Sequence, residues 1–164
     1  MTEDASLITA AMQAVIGRES EPSTLHIIRA LVERLIDAVE DDDPQLRSAL
    51  SSADSQAEVP PYVINADRIG GALLAVPDLP NFGLLAADEL EVLGPVRLGD
   101  TLTAVRKVSD IQERIGGRVG QSIFVQHETR FTNQDGNVVA RTRITIAHFI
   151  DEEAQARRRE EPPA

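Results

Sequence analysis

The chain has 164 residues, a formal net charge of -11 at pH 7, 3% aromatic residues and no cysteine. The absence of cysteine excludes disulfides, thiolate metal sites and a cysteine nucleophile. The negative charge disfavours nucleic acids and anionic membranes as partners, because both reward lysine and arginine, and the few aromatic side chains leave little for stacking on bases.

The sequence also predicts the cellular location and the domain organisation of the protein. No apolar run approaches the roughly 20 residues of a membrane span, and Met1 to Asp4 is acidic where a signal peptide would be basic. The length favours one domain over residues 1–150, followed by a charged, disordered tail over 151–164. We therefore expect a cytoplasmic protein that handles a small molecule or another protein.

Two helices are predicted in the first third of the chain. The first runs from Ala5 to Ile16, with Gly17 as its stop. The second runs from Thr24 to Val39 and ends at the acidic run Glu40 to Asp43 and at Pro44. Its apolar residues recur at helical spacing; they are Ile28, Leu31, Val32, Leu35 and Val39.

The middle of the chain is predicted to be less regular. Leu46 to Glu58 is rich in Ser, Ala and Asp and indicates a surface loop with at most a helical turn. Val59 to Tyr62 contains two prolines and indicates a stiff extended entry. A third helix is predicted from Ala66 to Val76, although Gly70 and Gly71 weaken it or permit close packing.

The second half of the chain predicts four antiparallel strands. They run from Leu84 to Leu93, Thr101 to Ile115, Ile123 to Thr132, and Val138 to Ile150. The connection Asn133 to Asn137 contains residues that tolerate a positive φ, so the last two strands form a hairpin. Helices followed by an antiparallel sheet predict the α+β class.

The third strand shows the alternation of a sheet with one buried face. Ile123, Val125 and Phe131 share that face, and His127 lies on it too. For His127 a hydrogen-bonded core or interface role is the main alternative to a role in a ligand pocket. No two histidines have the spacing of metal ligands, so we expect no metal site.

Five segments, in the same order along the chain, resemble the MaoC-like dehydratases and (R)-specific enoyl-CoA hydratases, in particular their N-terminal, FAS1-like type. Gly94 to Ala104 resembles the family's "rPlrvGDtLta" stretch, and Phe131 to Ala140 resembles its "ytNqdGelVa" hairpin. Gly17-Arg18, Ala38 to Pro44 and Val59 to Pro61 stand where the family has a leading Gly-Arg, "AvgDpnP" and "APP".

The resemblance implies a hot-dog fold, in which a curved antiparallel sheet wraps around a central helix, here the one predicted from Ala66 to Val76. It implies hydration or dehydration of enoyl thioesters, with a coenzyme A or acyl-carrier thioester as substrate and no bound cofactor. It also implies pairing with a second hot-dog subunit, as a homodimer or a heterodimer, with the acyl chain in a tunnel near the paired surface.

Catalytic members of the family use an Asp and a His in a "D-x-N-P-x-H" loop. Here Asp41 matches the Asp, Asp43 stands at the Asn, Pro44 matches the Pro, and Leu46 stands at the His. Leucine cannot transfer a proton, so the resemblance implies an incomplete dyad. Pro61 stands near the position that supplies the oxyanion N–H, and proline has no N–H to donate.

The remaining candidate residues concern substrate binding. The resemblance places one group near the acyl pocket and another near the phosphates of coenzyme A, where arginine is the usual partner. The acyl candidates are Pro61, Tyr62, Phe82 and His127, and the phosphate candidates are Arg114 and Arg118. Arg97 is a further arginine that could meet the phosphates.

Three hypotheses for function follow. The first is a subunit that lacks the dyad and supplies acyl pocket and dimer surface to a catalytic partner. The second is a self-sufficient hydratase or thioesterase that uses a carboxylate of the acidic run, Asp41 or Asp43. The third is a homodimer that binds an acyl ligand without chemistry. Turnover by the pure chain separates the second hypothesis from the other two.

Overall fold

The computed structural model describes residues 6–51, 56–66, 73–116 and 120–150. The helices are α1 (Ala10–Gln13), α2 (Arg29–Ala38), α3 (Pro44–Ser51) and a 3₁₀ helix (Pro61–Ala66). The strands are β1 (Ser23–His26), β2 (Phe82–Val92), β3 (Thr101–Ile115), β4 (Gln121–Thr132) and β5 (Val138–Phe149). No helix within these ranges is long and apolar enough to cross a membrane.

The strands form one curled antiparallel sheet in the order β1-β3-β4-β5-β2. The four strands predicted from alternation are confirmed, and their ends differ from the predicted ones by at most two residues. The predicted β4–β5 turn is also confirmed. Asn133 N–H donates to the Asn137 carbonyl at 2.9 Å, and Gly136 has a φ of 82°.

Side chains of every second residue point to one side of the sheet, which we call the inner face because the helices cover it. Near β1 and the hairpin turn, α2, α3 and the 3₁₀ helix pack on this face around Leu102, Ala104 and Phe131. Toward the other end, Met12 of α1 packs on a second apolar cluster, formed by Val108, Ile111, Ile123 and Val125. The core is therefore divided into two parts along the strands.

Two bulges lie at the level of the second cluster. The β3–β4 register shifts between Val108 and Asp110, and the β2–β5 register shifts between Leu85 and Ala87. In β3 the extra residue is Ser109, whose hydroxyl donates to the Gln126 carbonyl at 3.1 Å. Bulges bend a strand and increase its twist, so the sheet bends at this level.

The opposite side of the sheet carries a row of alternating charges. Lys107, Glu128, Arg143 and Glu89 lie directly across from one another on β3, β4, β5 and β2. Glu128 contacts Lys107 Nζ at 3.1 Å and Arg143 Nε at 3.2 Å. This row identifies the outer face as polar at its centre.

The predicted helix from Thr24 to Val39 is wrong over its first residues. Ser23–His26 forms β1, which pairs antiparallel with β3, so that Leu25 lies across from Leu102. The helix begins only at Arg29, and Ile28 at its N-cap makes no side-chain capping bond. Pairing with the open edge of β3 overrides the helical pattern, because backbone hydrogen bonds to a long strand outweigh weak local propensity.

Three further helix predictions need correction. The helix expected from Ala5 to Ile16 is limited to α1 in the described residues, and the loop expected from Leu46 onward begins with α3. Of the helix expected from Ala66 to Val76, residues 67–72 lie outside the described residues; Ala66 closes the 3₁₀ helix and residues 73–76 are irregular. The tail, residues 151–164, also lies outside them.

Candidate functional site

A cleft of about 460 Å³ opens beside the start of α3. It is lined by Asp43, Gln45, Leu46, Glu58, Val59, Pro60 and Pro61. The structure thus brings together the loop that matches the family's catalytic segment and the proline pair that matches its "APP". Two carboxylates lie in its wall, which makes the cleft acidic.

The acidic loop, Glu40 to Asp43, is formed by a left-handed turn at the end of α2. Glu40 has a φ of 55°, a backbone conformation that favours glycine. The Asp41 N–H then donates back to the Ile36 carbonyl at 2.8 Å. This bond closes the helix and fixes the direction in which Asp41 leaves it.

Both oxygens of Asp41 accept hydrogen bonds from the protein itself. Asp43 N–H donates to Oδ1 at 3.1 Å, and Tyr62 Oη donates to Oδ2 at 2.9 Å. Burial, followed by the bond to Asp41, raises the pKa of Tyr62 to about 12. Tyr62 therefore remains a proton donor at neutral pH, and Asp41 serves as an anchor between the loop and the 3₁₀ helix.

Asp43 and Leu46 have clear local roles in α3. Asp43 Oδ1 accepts the Gln45 N–H at 2.8 Å, so Asp43 is the N-cap of α3 and Pro44 occupies its first position. Leu46 is only 7% exposed and belongs to the apolar cluster with Leu50 and Val59. The position that the resemblance matches to the family's histidine is thus part of the core here.

The structure does not bring the other sequence-derived candidates to this cleft. Arg114 lies on the outer face with its guanidinium 4.3 Å from the centre of the Phe124 ring. Phe82 packs against Phe149 with ring centroids 5.1 Å apart and the ring planes tilted by 51°. Arg118 lies outside the described residues. Arg97 is nearer, because its backbone forms a bridge with Glu58, which lines the cleft.

His127 occupies a different part of the molecule. It lies on the inner face of β4, across from Val108 on β3 and Ile144 on β5, and it is 4% exposed. Burial, together with the positive charge of Arg106 and the neighbouring His148, lowers the pKa of His127 to about 4. Its imidazole is therefore neutral at physiological pH, and its Nδ1 has no hydrogen-bond partner among the residues that the structure describes.

Sequence reasoning missed the polar residues beside His127. Arg106 is 8% exposed, and its Nε donates to Thr129 Oγ1 at 3.0 Å. A signal was present, since Arg106 falls on the apolar side of the alternating run Leu102, Ala104, Arg106, Val108. Within the described ranges, no group of three or more His, Asp or Glu side chains could hold a metal ion.

Comparison with known proteins gives a family match over most of the chain. Residues 14–142 match the family model described as FAS1-like, dehydratase domain region. No curated protein sequence matches the chain.

Solved structures resemble the whole fold at low sequence identity. In the ChsH1-ChsH2 complex from Mycobacterium tuberculosis, the similar chain has a TM-score of 0.66 and 14% identity, over 85% of this chain and 89% of that one. A chain of the HadBC (3R-hydroxyacyl-ACP dehydratase) complex from Mycobacterium tuberculosis has a TM-score of 0.59 and 18% identity, over 81% of this chain and 96% of that one. A MaoC-like dehydratase from Rhodospirillum rubrum has a TM-score of 0.57 and 19% identity, over 83% of this chain and 93% of that one. These likenesses and the curled sheet show a hot-dog fold.

Proposed function

This chain belongs to the FAS1-like, dehydratase domain region family, and from that membership we propose that it is a partner subunit of an enoyl-thioester hydratase or dehydratase. It supplies part of the acyl pocket and the pairing surface, and a second hot-dog subunit supplies the complete Asp/His loop. The substrate is an acyl thioester of coenzyme A or of an acyl carrier.

The state of the Asp/His loop carries this proposal. Hydration needs a carboxylate that positions water and an imidazole that exchanges protons with the substrate. Here Asp41 accepts hydrogen bonds from Asp43 and Tyr62 on its two oxygens, and the core side chain Leu46 replaces the imidazole. The loop is held by its own contacts and lacks the imidazole that would exchange protons with the substrate.

The cleft supports the same proposal. Pro61 at its edge has no N–H with which to stabilise a developing oxyanion. Asp43 and Glu58 add negative charge where the phosphates of coenzyme A would need cations. A thioester therefore gains little from entering this chain's own loop, which favours chemistry in the partner.

Strand β2 supports the pairing role. Among the described residues β2 pairs with β5 alone, so its other edge presents backbone N–H and C=O groups over eleven residues. Leu84 and Leu85 on this strand are 53% and 62% exposed. A long apolar edge needs cover, and the ChsH1-ChsH2 and HadBC relatives are themselves two-component complexes.

The first experiment measures hydration of short and bulky enoyl-CoA substrates by the purified chain, with the molecular mass of the same sample. We expect no turnover alone and turnover when a catalytic hot-dog subunit is co-expressed. Turnover by the pure chain at the rate of the complex would contradict the proposal.

Substitution of Asp41 tests where the chemistry occurs. Asp41→Asn should change the activity of the complex little, because the working dyad lies in the partner. The matched control is Asp42→Asn, which removes an exposed neighbouring charge. A loss of about a hundredfold or more for Asp41→Asn alone, as expected on removal of a general acid–base group, would overturn the proposal.

Restoring the missing imidazole tests the assignment of Pro61. Leu46→His alone should not give the pure chain hydratase activity, because the oxyanion donor is still missing. A clear gain of activity would show that the interpretation of Pro61 is wrong.

One observation favours the self-sufficient alternative, since Asp43 is the carboxylate of the acidic loop that lines the cleft. A thioesterase or hydratase that works with a single carboxylate would use it. Asp43→Ser separates the roles, because serine keeps the N-cap and removes the carboxylate. Activity of the pure chain that disappears in Asp43→Ser would support this alternative.

A further inference from the structure

The inner face of the sheet contains a buried polar group that the proposed chemistry does not use. His127 is 4% exposed, and no atom within the described ranges bonds to its Nδ1. Buried polar atoms are nearly always hydrogen-bonded, and one left without a partner lowers stability because its desolvation is not compensated. A group from outside the chain that bonds to this nitrogen would remove that cost.

The surroundings of His127 are unusually polar for a sheet interior. Arg106, Thr129 and Thr142 form one row across β3, β4 and β5, and each is 8% exposed or less. This row lies two residues along β4 from His127 on the same face. Arg106 Nε donates to Thr129 Oγ1 at 3.0 Å, so the interior beside His127 already accommodates polar groups.

The backbone is irregular at the same level. The bulge at Ser109 lies between Val108, which faces His127, and Asp110, which faces Gln126. The β2 bulge lies beside it, because Ala87 pairs with the β5 residue that faces Gln126. Bulges are frequent beside functional sites, where they redirect side chains. Val108, directly across from His127, lines a cavity of about 250 Å³ together with Val15, Arg18, Leu74 and Ala75.

This level is separated from the cleft. Phe131 belongs to the apolar cluster that contains Leu46 and Val59 of the cleft wall, and His127 lies four residues before it on β4. At about 3.3 Å per residue this is about 13 Å along the strand. A ligand group that contacts His127 is therefore distinct from one that contacts the acidic loop.

We propose that His127 recognises a hydroxyl group on the acyl chain, at a carbon beyond the third, in a ligand bound against the inner face. The neutral imidazole has one donor and one acceptor nitrogen. A hydroxyl both donates and accepts, so it satisfies Nδ1 in either tautomer, whereas a carboxylate satisfies one tautomer only. The inference rests on the proposed acyl-binding function and narrows its substrate class to hydroxylated acyl thioesters.

The test compares thioesters that differ in one hydroxyl. Calorimetric titration of the full chain in complex with its co-expressed catalytic subunit uses saturated octanoyl-CoA and hydroxylated octanoyl-CoAs of the same length, one for each carbon beyond the third. One hydroxylated thioester should bind about fivefold or more tightly than octanoyl-CoA, as expected for one added hydrogen bond. His127→Leu should remove the preference and keep binding of octanoyl-CoA, and the control His26→Leu, at an exposed histidine, should keep both.

A second measurement does not depend on a substituted protein. The side-chain ¹⁵N resonance of His127 Nδ1 in the unaltered chain should shift with the preferred hydroxylated thioester and stay unchanged with octanoyl-CoA.

The outcomes separate the two proposals. Equal binding of all the thioesters with no shift at Nδ1, as expected if a water molecule satisfies His127, would overturn the hydroxyl assignment and leave the acyl-binding function standing. Absence of binding by every thioester would overturn the acyl-binding function and the hydroxyl assignment with it.

Discussion

The acidic loop and the polar part of the inner face differ in how their hydrogen bonds are satisfied. In the loop, Asp41 and Asp43 accept bonds from the chain itself, and those bonds hold two helices in place. On the inner face, His127 is buried, and its Nδ1 finds no partner in the part of the chain that the structure describes. The region that resembles a catalytic site thus satisfies these carboxylates with its own hydrogen bonds, whereas the region that resembles a core leaves a polar atom unsatisfied among the described residues. In this protein the residues that match a catalytic motif and the buried polar group that lacks a bond therefore lie in different places.

The largest effect expected from this difference is the pH dependence of stability. The unfolded chain protonates His127 near the ordinary pKa of 6.5, and the folded chain protonates it only near 4. Between these values the unfolded state binds more protons, so the free energy of unfolding falls as the pH is lowered. Above pH 6.5 His127 is neutral in both states and its burial does not reduce stability. By pH 4 the free energy of unfolding is lower by up to about 3 kcal/mol.

Denaturant titrations at several pH values measure this effect. His127→Leu should flatten the slope between pH 6.5 and 4, whereas His26→Gln should preserve it. Glu113 and Glu128, whose pKa values are lowered, contribute mainly below this window, because an acidic group loses its folded-state advantage only as the pH falls through its own pKa. An unchanged slope in His127→Leu would mean that His127 is charged in the folded protein.

An intermediate effect is expected from the bond that completes the acidic loop. Tyr62→Phe removes the donor to Asp41 Oδ2 and should lower the free energy of unfolding by about 1 kcal/mol. The measurement is a double-mutant cycle with Asp41→Ala by chemical denaturation, in which the two residues should show a coupling of about 0.5 kcal/mol or more. Additive losses would show that Asp41 is held by other contacts.

The smallest effect concerns the turn that directs the acidic loop. Glu40 adopts a φ of 55°, so Glu40→Gly should raise the free energy of unfolding by about 0.5 to 1 kcal/mol. The matched control is Glu33→Gly, at an exposed position inside α2, which should lower stability by a similar amount because glycine disfavours a helix interior. A loss in Glu40→Gly would mean that the glutamate side chain stabilises the turn.

The sequence predicted the sheet far better than the helical layer. Alternation along β4 and β5 and the turn residues around Gly136 are local signals, and they place strands and faces within a few residues. The helix pattern from Thr24 to Val39 is also local, but its first residues pair with β3, about eighty positions later in the chain. A contact of that separation leaves no periodicity in the segment itself.

The candidate site also has features that the sequence determines and features that only the tertiary structure decides. The residue at each motif position, including Leu46 in place of histidine, is fixed by sequence, and so is the inward direction of His127, because side chains alternate along a strand. The pairing of Tyr62 with Asp41, 21 residues apart, is decided only by the tertiary structure. The same holds for Nδ1 of His127, which has no partner among the described residues, since whether a buried atom finds a hydrogen-bond partner depends on which distant segments pack around it.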